Sequence, residues 1–326
     1  MDGTPATLPT FADVLGAAAR IAPHAHVTPV LRSRALDALA GCNLQFKCEP
    51  LQRTGAFKFR GACNAVWALH DDEAARGVVT HSSGNHGAAL ALAARTRRIA
   101  CHVVVPEGAV AAKLAAIRGY EATLHGCAAT IAARESTAAR VQGETGATFI
   151  HPYTDPRVIA GQGTAALELL TVAGRLDVLV VPVGGGGLAS GCALALSALA
   201  PDCELLLAEP AGAADTARSL ASGRRDVEFV PDTVCDGLRG TLGQPGFEIL
   251  RAQGARVAVI EDKDTLAAMH LLWTRLKLLV EPSSAIAFAA VLQQRERLAG
   301  KRVGVILSGG NVDLAMAAQW FAGPPA

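Results

Sequence analysis

Three apolar runs in this chain end directly in glycine- or serine-rich turns: VVT runs into HSSGNHG, LVVPV into GGGG, and GVIL into SGGN. Such β-rich runs alternate with Ala/Leu-rich stretches along the chain, the pattern of strands joined by crossover helices in a mostly parallel sheet. The fold class is therefore α/β. The clearest strands cover Gly77 to Thr80, Ala100 to Val105, Val178 to Val183, Glu204 to Ala208 and Arg302 to Leu307. Helices are expected over Gly87 to Thr96, Ile131 to Thr145, Gly161 to Ala173, Leu188 to Leu199, Asp264 to Leu279 and Ser284 to Arg297. In open α/β sheets ligands bind outside the carboxyl ends of the strands, so the three turns mark one candidate crevice.

A length of 326 residues suits two domains or one elaborated α/β domain. Residues 76–151 read as a compact insertion of small strand-helix units, with the polar HPYTDP segment as the return crossing. The larger domain then combines residues 1–75 and 152–326. With 51% hydrophobic and 18% charged residues, the chain can offset the entropy of ordering, which excludes disorder as its main state. Thirty basic against twenty-nine acidic residues leave no positive surplus for a nucleic acid, and none is expected as a partner. The eight cysteines form no CxxC pair and read as reduced, buried thiols. The opening MDGTPATLPTFADVL lacks the basic head and apolar run of a secretory signal, and the uncharged stretch 178–201 is interrupted by Pro182 and four glycines. A cytoplasmic protein without a membrane span is expected.

The turns carry the chemistry. In GGGG, residues Gly184, Gly185, Gly186 and Gly187 lie between a strand and a helix, where backbone N–H groups meet an anion with no side chain in the way. A tight turn needing positive φ accounts for one or two glycines and less well for four. The spacing of Gly184, Gly186 and Ala189 also satisfies GxGxxG/A, with Glu209 where a ribose-binding acid would lie, so a dinucleotide site competes with a simple phosphate cradle. Lys58 lies between Phe57 and Phe59, where partial burial would disfavour its ammonium and leave a more nucleophilic amine; the ordinary alternative is a snorkelling surface lysine. The THSSGNHG turn opens a helix whose N–H groups suit a carboxylate. Helix capping by Ser83 or Asn85 explains one of its polar residues but not five.

With these residues in view, the chain resembles the fold-type II pyridoxal-phosphate enzymes of the serine/threonine dehydratase and serine racemase group. The likeness rests on FADV, TPVLRS, FKCEPLQRTGAFKFRGACNAV, THSSGNHGAALA, HPYTDPRVIAGQGTAALELL, VVPVGGGGLASG, AEPAGAADT, CDGLRG, KLLVEPSSA and VILSGGNVDL, in order and nearly end to end. It implies the two-domain, tryptophan synthase β-like fold: a large domain with a mostly parallel sheet, built from both ends of the chain, and a smaller inserted α/β domain. It further implies that Lys58 forms the internal Schiff base with pyridoxal 5'-phosphate, with Phe57 packed near the ring and Asn85 bonded to its phenolic oxygen. Gly184 through Gly187, with Leu188, would hold the phosphate, and Ser308 would face the pyridine nitrogen.

The reaction implied is α,β-elimination of a β-hydroxy amino acid to a 2-keto acid and ammonia. Lys58 would remove the α-proton, the cofactor phosphate would assist departure of the hydroxyl, and Ser82, Ser83 and His86 would grip the α-carboxylate. Ser83 also stands where racemase-like members place a second acid/base, which keeps amino acid racemisation open. Tyr153 and Gly240 replace the asparagine and serine of the mammalian racemase pattern; an aromatic ring beside open space suggests a larger β-substituent, as in threonine or phenylserine. Arg134 lies where an arginine reaches a second carboxylate in hydroxyaspartate-type members, against the plainer reading of a solvated helix face. Glu209, the Ala213 carbonyl and Asp215 resemble the family's divalent-cation site, and oxygen ligands suit magnesium or calcium. A homodimer acting on a small amino acid is expected. The rival from a different cofactor class is an NAD-dependent dehydrogenase, which leaves Lys58, the SSGNH turn and Ser308 without work.

Overall fold

Strand order decides where the turns meet. The computed structural model describes residues 8–109 and 111–322. Its strands are β1 (Val30–Leu31), β2 (Asn43–Cys48), β3 (Val78–Thr80), β4 (Cys101–Pro106), β5 (Thr123–Cys127), β6 (Thr148–Phe149), β7 (Val178–Pro182), β8 (Glu204–Pro210), β9 (Arg256–Ile260) and β10 (Arg302–Leu307). Six of them form a sheet in the order β1-β2-β10-β7-β8-β9, and the other four form a sheet in the order β5-β4-β3-β6. Only β1 and β2 pair antiparallel; all other pairings are parallel. The four-stranded sheet comes from the stretch of chain between β2 and β7.

The unbroken apolar run of β7 follows from burial on both faces. Val178 and Val180 enter the core that contains Phe46, Phe288, Val303 and Val305, while Leu179 and Val181 enter the core that contains Leu169, Leu196 and Ile306. The smaller sheet packs a third core against helices Asn85–Arg97 and Lys58–Trp67. Helix Lys58–Trp67 is buried almost throughout and also lies against helix Pro156–Ala173, which in turn packs on helix Gly187–Leu199. These crossings are close enough to exclude side chains. A Cβ on Gly161 would lie 2.6 Å from Gly61 Cα, and one on Gly163 would lie 2.6 Å from the Gly191 carbonyl oxygen.

Two expected helices are shorter in the structure. The stretch expected from Asp264 to Leu279 is helical over Asp262–Leu271, widens into a π-turn at Leu272–Leu276 and stops at Lys277 with φ +60°. The Trp273 indole N–H donates to the Val280 carbonyl at 3.0 Å, which pins the chain reversal before Pro282 opens the next helix. That helix ends at Gln293, and a short separate helix, Arg295–Leu298, follows. Strands β1, β2, β5, β6 and β9 lie outside the clearest strands of the sequence: β1 and β6 span two residues each, β9 is a short apolar run that the sequence reading leaves out, and polar residues or glycine break the apolar pattern of β2 and β5. In β2 the cause is Lys47, whose buried ammonium donates to Glu168 and to the Thr28 carbonyl. All eight cysteines are buried and unpaired.

Lys47 belongs to a buried ionic network centred on Arg60. The Arg60 guanidinium donates to Glu49 at 2.7 and 2.9 Å and to Glu168 at 2.6 and 2.8 Å, tying β2 and the chain after it to helix Pro156–Ala173. Removing one partner of such a group leaves uncompensated buried charge. Arg60→Ala is expected to lower folding stability by about 3 kcal/mol or more, read from the midpoint of urea unfolding. A change below ~1 kcal/mol, the range of a surface pair, would show that the network carries little of the fold.

Candidate active site

The carboxyl ends of β3, β7 and β10 converge on the start of helix Lys58–Trp67. Phe57 N–H donates to the Ser308 carbonyl at 2.9 Å, Gly310 N–H donates to the Gly55 carbonyl at 2.9 Å, and Ala56 bridges Gly309. These bonds hold the SGGN turn against the residues before Lys58. From the smaller sheet, the Asn85 carboxamide nitrogen donates to Glu281 at 2.9 and 3.2 Å, and its oxygen accepts from Asn311 at 3.0 Å. Lys58, Phe57, Asn85 and Ser308 are thus brought to one cleft. Ser308 is buried, with its hydroxyl donating to the Ser283 carbonyl at 3.3 Å.

Lys58 is no snorkelling lysine. Its ammonium donates to the Pro152 carbonyl at 3.1 Å and lies 5.1 Å from the centre of the Phe57 ring. Enclosure by the cleft brings its pKa down to about 8, against the opposing pull of Glu281. Glu281 itself is pushed up to about 7 by burial and by Asp236, while the Asn85 N–H and Lys113 act the other way. Such an amine is substantially uncharged in mildly alkaline solution and able to attack an aldehyde.

The glycine turn meets the requirements of a phosphate cradle. It leads into helix Gly187–Leu199 through Gly186 at φ +89°, a conformation that side chains disfavour. A Cβ on Gly184 would lie 2.7 Å from Leu238 Cα, and one on Gly185 would lie 2.4 Å from the nearest Tyr153 ring carbon. Only glycine lets Leu238 and Tyr153 pack this closely on the turn, and the helix start supplies N–H groups outside the helical hydrogen-bond ladder that suit an anion. The Ser190 hydroxyl is buried beneath the turn without a partner among the described residues. Leu188 is buried on the first turn of the helix. The residues therefore fit pyridoxal phosphate: an enclosed amine for its aldehyde, a glycine cradle for its phosphate, and Asn85 and Ser308 between them.

The SSGNH turn enters the same cleft. Gly84, rather than Ser83 or Asn85, caps helix Asn85–Arg97, so capping does not consume either side chain. Ser82 and Ser83 are half-buried. The His86 ring is buried with neither nitrogen bonded among the described residues, and burial, Lys58 and His151 hold it well below the usual imidazole range. What His86 can offer a carboxylate is its backbone N–H. His151 is likewise kept neutral, its pKa lowered to about 4 by burial and by His81 and Lys58; its Nδ1 accepts from the Thr154 N–H at 3.2 Å. Arg134 differs from the solvated alternative: it is half-buried, and its Nε is enclosed without a partner among the described residues.

A Cβ on Gly240 would lie 3.5 Å from the Tyr153 ring, at ordinary contact distance, so the open space expected beside Gly240 is bordered by that ring and not filled by it. Glu209 departs from one reading, because its buried carboxylate accepts from the N–H groups of Thr216 at 2.7 Å and Ala217 at 2.8 Å and is not presented to a ribose. Asp215 accepts from the Leu242 N–H at 2.8 Å, and its other oxygen is buried without a partner among the described residues. Burial raises Glu209 to about 7 and Asp215 to about 6. Together with the Ala213 carbonyl they suit a hard cation, although no cluster of three or more His, Cys, Asp or Glu side chains occurs among the described residues. Glu281, Asn311, His81 and His151 were not singled out by sequence reasoning. Their signal was membership in the KLLVEPSSA, SGGNVDL, THSSGNHG and HPYTDP motifs, without any spacing rule to mark them.

Two outcomes are expected. In cofactor-free protein, labelling of Lys58 by an amine-selective acylating reagent should be half-maximal near pH 8, since the neutral amine is the reactive form and grows as pH rises through the pKa. Peptide mass spectrometry separates it from ordinary lysines, which titrate near about pH 10.4; a Lys58 profile matching theirs would contradict the enclosed amine. Gly185→Ala drives a methyl group into Tyr153, and an overpacking cost of ~1–3 kcal/mol should weaken cofactor binding roughly tenfold, measured by fluorescence titration.

Comparison with known proteins agrees with this geometry. Residues 21–309 match the family model described as pyridoxal-phosphate dependent enzyme. The chain is 47% identical over 307 residues to a beta-hydroxyaspartate dehydratase of Paracoccus denitrificans, covering 94% of this chain and 98% of that one. It is 46% identical over 310 residues to a serine racemase of Dictyostelium discoideum, covering 94% and 96% of the two chains. The structure of maize serine racemase superposes with a TM-score of 0.92 at 43% identity, covering 96% of this chain and 97% of the other. An amine, a glycine cradle and a whole-length likeness point the same way: the chain belongs to the family of pyridoxal-phosphate dependent enzymes and has its fold-type II architecture.

Proposed function

We propose that the protein is a β-hydroxy amino acid dehydratase that converts 3-hydroxyaspartate or a serine- or threonine-type substrate to a 2-keto acid and ammonia. The reading rests above all on Lys58, an amine with pKa about 8 enclosed beside the glycine cradle. Pyridoxal phosphate supplies an electron-withdrawing ring joined to the substrate nitrogen, which acidifies the α-hydrogen. Gly184 to Gly187 and Leu188 would hold its phosphate, Asn85 its phenolic oxygen and Ser308 its pyridine nitrogen, with Phe57 near its ring. Lys58 Nζ takes the α-proton. Ser82 and Ser83, with the N–H groups at the start of helix Asn85–Arg97, orient the α-carboxylate. The β-hydroxyl departs as water, and the dehydrated product hydrolyses to the keto acid and ammonia.

Arg134 favours the dicarboxylic substrate. Its enclosed Nε has no partner among the described residues, and its charge acts on His81 beside the SSGNH turn. The relative in Paracoccus is named for hydroxyaspartate, in keeping with this choice. The Tyr153 ring borders the space beside Gly240, a setting that would suit an apolar β-substituent, so threonine and phenylserine stay among the substrates to be tested. Ser83 supports racemisation as a second reading, since its half-buried hydroxyl is not used in helix capping and would serve as a second acid/base besides Lys58.

The same proposal covers the wider organisation. Residues 1–75 and 152–326 act as the large domain and residues 76–151 as the small one, so that substrate lies between Lys58 and the SSGNH turn. Magnesium or calcium at Glu209, Ala213 and Asp215 steadies the Leu242 segment, which packs on Gly186. A homodimer is favoured by Leu279, Leu314 and Met316, which remain exposed near the turn after β10. The cytoplasm is the proposed compartment; no helix among the described residues is long and apolar enough to cross a membrane.

L- and D-serine, threonine, the hydroxyaspartate stereoisomers and phenylserine, assayed for keto acid and for inverted amino acid, test the reading. Lys58→Ala should abolish both products. Arg134→Ala should raise KM for hydroxyaspartate by about tenfold or more, the worth of a charged hydrogen bond, with KM for serine changed less than about twofold, within the ordinary scatter of a surface change. Equal losses on both substrates would remove the second-carboxylate role.

A further inference from the structure

Glu281 has no function in the scheme above, yet it is the most constrained charged group in the cleft. It caps helix Pro282–Gln293, its N–H donates to the Gly309 carbonyl at 3.0 Å, and its carbonyl accepts from Ser284 at 2.9 Å and Ala285 at 3.0 Å. Its carboxylate is buried so closely against the SGGN turn that a Cβ on Gly309 would lie 2.8 Å from Oε1. Lys58, Lys113 and Asp236, from three separate elements, are the charged groups that act on it. Its hydrogen-bond partner is Asn85 Nδ2, at 2.9 and 3.2 Å.

That contact settles which way the Asn85 amide faces. Asn85 Oδ1 accepts from Asn311 Nδ2 at 3.0 Å, and Asn311 Nδ2 also donates to the Thr54 carbonyl at 2.7 Å. Rotating the Asn85 amide by half a turn would set its oxygen against the Glu281 carboxylate and its NH2 against the Asn311 NH2. Both new contacts would pair like with like. The carboxylate accepts one N–H of Asn85, and the amide nitrogen keeps a second N–H for another acceptor.

We propose that Glu281 is a positioning residue: it holds the Asn85 carboxamide, clamped on its other side by Asn311, so that its remaining N–H is aimed at the phenolic oxygen of the cofactor. The inference rests on the assignment of Asn85 to that oxygen. It places Glu281 outside direct contact with substrate and lets it act through Asn85. A conservative change should therefore disturb cofactor binding and colour, and only while Asn85 is present.

A double-mutant cycle on full-length protein reconstituted with pyridoxal phosphate tests this, read as cofactor Kd and as the visible absorption maximum. Glu281→Gln leaves a single neutral acceptor for Asn85 where a charged carboxylate stood, and it should raise Kd by about tenfold and shift the absorption band. In the Asn85→Ala background the same change should alter Kd by less than about twofold, because coupled residues are not additive. Glu281→Asp, which keeps the charge but withdraws it by one methylene, should behave like Glu281→Gln and serves in its place should that variant fail to fold. Equal effects of Glu281→Gln in both backgrounds, or normal binding and colour in Glu281→Asp, would overturn the inference while leaving Asn85 as a cofactor ligand. An Asn85→Ala protein with unchanged Kd and colour would overturn the assignment of Asn85, and the role of Glu281 with it.

Discussion

The close crossing of three helices is the constraint on which the site depends. Helices Lys58–Trp67, Pro156–Ala173 and Gly187–Leu199 meet at Gly61 with Gly161 and at Gly163 with Gly191, where an added Cβ would lie well inside contact distance of backbone atoms. The first of these helices starts at Lys58 and the third starts in the glycine turn. Their separation is therefore set by backbone against backbone, without flexible side chains between them. On the proposed assignment, with the cofactor aldehyde at one helix start and its phosphate at the other, the site would gain its precision from that packing.

Burial then sets the chemistry of the cleft. Lys58 at about 8, His151 at about 4 and Glu281 at about 7 have all moved toward their neutral forms. Desolvation is the leading cause for each. The consequence is a site in which the Lys58 amine is substantially uncharged in mildly alkaline solution while His151 and His86 stay neutral beside it. Perturbed groups gathered in one place also form structural networks, as Arg60, Glu168 and Lys47 do elsewhere in this chain. What separates the two clusters is access: the Arg60 network is closed by its own partners, whereas Lys58 faces a cleft with unfilled acceptors and donors around it.

Much of this was legible because it is local. Strand β7, its glycine turn and the helix that follows form one continuous stretch, and the composition of each part states its conformation. The α/β class followed from that alternation, and the cofactor from a run of ordered motifs. Where sequence reading failed, a distant partner had changed the meaning of a residue. Lys47 made β2 look too polar for a central strand because Glu168, which accepts from its ammonium, lies on a helix far along the chain. The helix expected to reach Leu279 ends early because Trp273 bonds a carbonyl beyond the turn.

By itself, the sequence determined the secondary elements with clear periodicity, the run of four glycines between a strand and a helix, the placement of an amine between two phenylalanines, and membership of a family through its motifs. Tertiary structure alone decided that Asn85 meets a carboxylate 196 residues away, that the His86 ring is sealed from solvent, and that Arg134 is partly enclosed instead of solvated. The reason is physical. Local conformation depends on neighbours in the chain, whereas proton affinity and hydrogen-bond orientation depend on which groups the sheet order and the helix crossings bring within a few ångströms.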